Sequence, residues 1–123
     1  MSKDLQSLSG KQEKVVVGLM SGTSKDGIDA ALVKLVGFGL STKIDLIHFI
    51  SLPYKKEIKA KLDKLTKECS LKDISDLNFI IGDEFSEAAQ KVISESGLSF
   101  NDVDLIGSHG QTVYHNPPSY KAG

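Results

Sequence analysis

Short apolar runs dominate the chain up to Pro53, and a helical spacing replaces them beyond it. Val15-Val16-Val17-Gly18-Leu19-Met20 is a β-branched run bounded by Ser21-Gly22-Thr23-Ser24, which predicts a buried strand ending in a tight loop that needs Gly22. The apolar residues from Ile28 to Val36 predict a second strand, since a run of this length suits a strand better than a helix. Gly37-Phe38-Gly39 with Ser41-Thr42 marks a turn, and Ile44, Leu46, Ile47, Phe49 and Ile50 predict a third strand that stops before Pro53. Ile58, Leu62, Leu65 and Cys69 then recur at helical spacing, giving an amphipathic helix with Cys69 in its apolar stripe and lysines on its exposed face. Ser70-Leu71-Lys72-Asp73 fits a capping box that opens a longer helix. Its stripe of Ile74, Leu77, Ile81, Phe85, Ala88 and Val92 ends at the stop signal of Gly97. After the Asn101-Asp102 turn, Asp104 to Ser108 reads as a strand feeding a loop that runs from His109 to His115.

The order βββααβ is informative. A three-stranded meander followed by a helical crossover brings the fourth strand into the same sheet in parallel. This is the opening of an α/β, ribonuclease-H-like half. A complete half needs a further strand and covering helices, and residues 116–123 are too few to supply them, so the fold is expected to be truncated. Residues 1–14 are polar and mixed in charge, and read as a flexible N-terminal arm.

Composition narrows the function classes. The 123 residues carry 15 Lys+Arg against 16 Asp+Glu, a net charge of -1 that offers no basic footprint for nucleic acid. The apolar runs fall far short of the ~18 residues of a spanning helix, so no membrane partner is expected. A single cysteine, Cys69, excludes an internal disulfide and is consistent with a cytoplasmic protein.

The densest chemistry lies in Gly22-Thr23-Ser24-Lys25-Asp26-Gly27-Ile28-Asp29. Glycines let a ligand approach the backbone, turn amides point at anions, and Ser and Thr hydroxyls donate further hydrogen bonds, a combination suited to phosphate. Asp26 offers an oxygen ligand to Mg²⁺, and Asp29 stands where it can support the loop. Ser, Thr, Asp and Gly are also what ordinary hairpin turns contain, so both readings stand on composition. No Gly-Lys-Ser/Thr occurs, which excludes a Walker loop, and Thr42 stands where a dinucleotide fingerprint after Gly37-Phe38-Gly39 wants its third glycine.

His109-Gly110-Gln111-Thr112 follows the fourth strand, where open sheets place ligand loops. Imidazole and carboxamide both donate and accept hydrogen bonds and suit sugar hydroxyls, and a satisfied structural histidine is the other reading. His109 and His115 share a face if the strand continues, but two ligands do not make a zinc site. A Ser24, His109, Asp26 hydrolase lacks the Gly-x-Ser-x-Gly elbow. The lysines from Lys55 to Lys67 are interrupted by acids and read as a solvated helix face.

Gly18 to Asp29, together with Gly107-Ser108-His109-Gly110-Gln111-Thr112-Val113-Tyr114-His115, resembles the anhydro-N-acetylmuramic acid kinase family. The resemblance covers about residues 15–118 and implies the two-lobed fold of actin, sugar kinases and the heat-shock chaperones, with residues 15–123 in the first lobe. It implies ATP and Mg²⁺ as cofactors and an anhydro amino sugar as substrate, phosphorylated on its 6-oxygen while water opens the 1,6-anhydro ring, in cell-wall recycling. By matching position, Gly22 through Asp29 would hold the ATP phosphates with Asp26 near Mg²⁺, and His109, Gly110, Gln111 and Thr112 would approach the sugar. The family's carboxylate base belongs to a later Asp-Thr-Gly-type segment, so no catalytic residue is expected within these 123 residues and the chain alone is expected to be inactive or nearly so. The open sheet edges of such a piece predict a homo-oligomer. The other functional reading is a shortened, non-catalytic module that binds nucleotide or sugar.

Overall fold

The computed structural model describes residues 4–119; the first three residues of the expected arm and the last four of the chain lie outside them. Within the arm, Leu5–Ser9 form a single-turn helix, α1, whose first turn is capped by the Asp4 carboxylate accepting from the Ser7 amide. None of its residues is buried.

Strands β1 (Glu13–Ser21), β2 (Gly27–Val36) and β3 (Lys43–Pro53) form the expected antiparallel meander. Strand β4 (Leu105–Gln111) returns beside β1 in parallel, so the sheet order is β3-β2-β1-β4. The crossover is α2 (Lys56–Leu65) followed by α3 (Leu71–Ser96). The third strand runs through Pro53 rather than stopping before it. That residue lies on an edge strand, where a missing amide costs little.

Helix α3 lies across the sheet and α2 packs against α3. Val17, Leu19, Ile28, Ala30 and Leu32 form the sheet side of the core and meet Leu77, Phe85, Ala88, Val92 and Ile93 of α3, with Leu62 of α2. Register sends alternate residues to the other side. Met20, Ile44, Leu46, Phe49 and Leu105 are exposed there, and no helix among the described residues packs over them.

Cys69 departs from expectation: it is exposed, and α2 ends at Leu65. The backbone of Ser70 must be extended to cap α3, with φ -98° and ψ 165°, so the helical stripe cannot run through to it. Ser70 and Asp73 form the expected reciprocal cap, and Gly97 closes α3 in the left-handed conformation at φ 83°.

Candidate functional site

The loop between β1 and β2 is closed by the Lys25 amide donating to the Gly22 carbonyl at 3.2 Å. Lys25, at φ 53°, takes the left-handed backbone, while Gly22 keeps an ordinary one and has open space where a Cβ would stand. The turn therefore does not need Gly22, contrary to the sequence expectation. Gly27 is the constrained glycine: an added Cβ would stand 2.4 Å from the Leu52 carbonyl oxygen. Among the described residues neither the amides nor the hydroxyls of Thr23 and Ser24 have a protein partner, so the tip presents open donors.

Three elements hold this tip. From α2, the Lys59 ammonium pairs with the Asp26 carboxylate at 3.0 Å and reaches the Ser24 and Lys25 carbonyls at 3.4 Å. After β3, the Tyr54 amide donates to the Asp26 carbonyl. At the base, the Ser21 hydroxyl lies 2.5 Å from the Gly27 carbonyl and 2.7 Å from Oε1 of Gln111, while the Thr112 amide donates to the Ser21 carbonyl. The Tyr54 hydroxyl is enclosed beneath, without a hydrogen-bond partner among the described residues. Burial pushes its pKa up, Glu84 adds to the shift, and the Ser21 hydroxyl works against it.

Strand β4 reaches this base through a bulge. Leu19 pairs with Ser108 and Ser21 with Gln111, so His109 and Gly110 together oppose Met20. Gly110 carries the positive φ of 77° that the bulge requires. The strand ends at Gln111, so His109 and His115 are not on one continuous strand face. His109 is exposed, with Nδ1 3.4 Å from the Gly110 carbonyl.

Two concavities adjoin the site. The larger, about 370 Å³, is an apolar groove between α2, α3 and the end of β4, lined by Leu62, Leu77, Phe85 and Val113 among others. The smaller, about 260 Å³, brings Thr23 and Lys25 of the hairpin against Thr66, Thr112 and His115. Its hydroxyls and ammonium suit an anionic or polyhydroxyl ligand. Ile28 is fully enclosed and its side chain belongs to the core. Asp29 pairs in register with Met20 and Ser51, and its side chain makes no bond to the loop among the described residues. Asp26 is exposed, and its carboxylate is a donor of the kind that fits Mg²⁺, which takes one or two carboxylates and fills its shell with water and phosphate oxygens.

The family model for anhydro-N-acetylmuramic acid kinase matches residues 14–123. The chain belongs to the anhydro-N-acetylmuramic acid kinase family. It is 51% identical over 109 residues to the anhydro-N-acetylmuramic acid kinase of Caldanaerobacter subterraneus subsp. tengcongensis, covering 87% of this chain and 28% of that one. The enzymes of the same name from Bacillus cereus and Bacillus thuringiensis subsp. konkukian are 45% and 44% identical over 104 residues, covering 83% of this chain and 27% of theirs. The chain thus spans little more than a quarter of the length of these relatives.

For a chain of the anhydro-N-acetylmuramic acid kinase family, the α/β architecture with a mixed four-stranded sheet matches the truncated sugar-kinase fold expected from the sequence. No helix among the described residues is long and apolar enough to cross a membrane. Sequence reasoning missed two residues at the hairpin. Lys59 was hidden in a lysine-rich helix face, although its alignment with Ile58 and Leu62 put it near the core edge. Ser21 carries only a turn signal in the sequence, and nothing local marks its bond to Gln111, 90 residues away.

Proposed function

We propose that this chain forms the N-terminal portion of an ATP-dependent sugar kinase that converts 1,6-anhydro-N-acetylmuramic acid to N-acetylmuramic acid 6-phosphate in cytoplasmic cell-wall recycling. The β1–β2 hairpin holds the nucleotide phosphates. The observation that carries this reading is the tip itself, where the amides and hydroxyls of Thr23 and Ser24 are open beside Lys25 and the Asp26 carboxylate. The γ-phosphoryl group passes to the sugar 6-oxygen, water adds at the anomeric carbon as the 1,6-anhydro bond breaks, and ADP leaves. Mg²⁺, when bound, neutralises phosphate charge as the phosphoryl group transfers. Thr23, Ser24 and Lys25 orient the phosphates, and Thr112, His109 and Gly110 stand toward the sugar.

The chain contains no Asp-Thr-Gly segment. Without a base to activate water, worth typically 10²–10⁴-fold in rate, the 123 residues alone turn over little or no substrate. Titration of this chain with Mg-ATP, followed by backbone amide resonances, tests the nucleotide reading. Shifts are expected at residues 22–26. The Asp26→Asn variant should weaken the response about tenfold, the scale of a lost charge-assisted contact, and Lys25→Ala should weaken it less. Shifts absent from the hairpin, or equal effects of the two substitutions, would overturn it.

A further inference from the structure

We propose that Gln111 is a positioning residue: its carboxamide latches the β1–β2 hairpin to the end of β4 and so fixes the spacing between the two halves of the site. The assignment rests on the reading of that hairpin as the nucleotide loop, and it moves Gln111 from the sugar side to the joint between the two sides.

All of the carboxamide is committed within the protein. Oε1 lies 2.7 Å from the Ser21 hydroxyl, and Nε2 donates at 2.8 Å to the Gly22 carbonyl and at 2.8 Å to that of Thr112. The opposite orientation of the amide would set its oxygen against two carbonyl oxygens, so these contacts fix which end is nitrogen. Both donor hydrogens are spent, which leaves the side chain little with which to recognise a sugar hydroxyl.

Its partners occupy the hinge points of the hairpin. Ser21 is 3% exposed and is the last residue of β1. The Gly22 carbonyl accepts from Gln111 and also from the Lys25 amide, so one oxygen joins the latch to the turn that presents Thr23 and Ser24. The Ser21 hydroxyl has one proton for two acceptors within reach, the Gly27 carbonyl and Gln111 Oε1, so it donates to one of them at a time and stands where both stems of the hairpin meet β4. The bulge at His109 and Gly110 brings Gln111 into register with Ser21; with Leu19 opposite Ser108, unbroken pairing would have placed Gly110 there instead.

The test measures amide hydrogen exchange and Mg-ATP affinity on this chain and its Gln111→Leu and Ser21→Ala variants. Loss of the latch should speed exchange at Lys25 and Thr112 about tenfold, the scale of one net hydrogen bond. Ala30 and Leu32 in the β2 ladder should be unchanged, and Mg-ATP affinity should fall by a similar factor. The double variant should fall short of the sum of the two singles, because the bond between Ser21 and Gln111 is common to both. Unchanged exchange at Lys25 and Thr112 in both variants would overturn the proposal, as would a uniform rise that includes Ala30 and Leu32. If exchange rises only at the hairpin while the unsubstituted chain ignores Mg-ATP, the latch stands and the nucleotide reading falls.

Discussion

At the residue scale, two glycines in one motif have different tasks. Gly27 is required by the close approach of β3, because a methyl group there meets the Leu52 carbonyl and the Pro53 Cα. Gly27→Ala should cost about 1–3 kcal/mol, lowering the thermal midpoint by roughly 5–15 °C. Gly22→Ala meets open space and should leave the midpoint within about 3 °C, since substitutions away from packed features stay near ±0.5 kcal/mol. If the hairpin holds phosphate, the same Gly22 methyl group should weaken Mg-ATP binding. Thermal melts with and without nucleotide separate the two roles. The motif was legible in the sequence as a turn rich in donors, but the division of labour was not, because it depends on Leu52, which is distant in sequence. The Lys59 and Asp26 pair was hidden for the same reason.

At the element scale, what was legible was local. The Ser70 cap and the Gly97 stop are written in a few neighbouring residues, and both formed as read. The end of α2 was less legible, because the spacing of Cys69 is helical while the extended backbone of Ser70 forbids it. The α3 cap also has a pH dependence. Hydrogen bonds from the Ser70 amide and hydroxyl hold the Asp73 carboxyl below its ordinary value. A lowered folded-state pKa gives stability that is present above the unfolded value, about 3.9, and is lost as pH falls through the folded one. The acid limb of thermal stability should therefore be shallower in Asp73→Asn. Another carboxylate joins β4 to β1: Asp104, with its side chain 1% exposed, accepts from the Val15 amide at 2.9 Å and pairs with Lys11 at 2.7 Å. Asp104→Ala should cost about 2–3 kcal/mol in denaturant unfolding, since it strands the half-buried Val15 amide and breaks a charge-assisted bond. Its period marked Asp104 only as the start of a strand.

At the scale of the whole molecule, the sheet has one covered face and one open one. Met20, Ile44, Leu46, Phe49 and Leu105 leave an apolar surface of the kind that is normally buried against another layer. The isolated 123-residue chain should self-associate as its concentration rises, and light scattering should report a mass above 13.3 kDa. A monomer at high concentration would count against the homo-oligomer reading. Glu substitution at Leu46 and Phe49 should reduce the association, because charge on the open face opposes its burial.

The contacts that complete the hairpin also govern when it can form. The meander of β1, β2 and β3 joins residues close in sequence, whereas Ser21 meets Gln111 across 90 residues and Val15 meets Asp104 across 89. Closing so long a loop costs chain entropy before any contact repays it, so the docking of β4 comes late. The loop between β1 and β2 therefore takes its final shape in the last step of assembly. In a refolding experiment, ligand recognition would be the last property to return, after the helices and the meander have already reappeared.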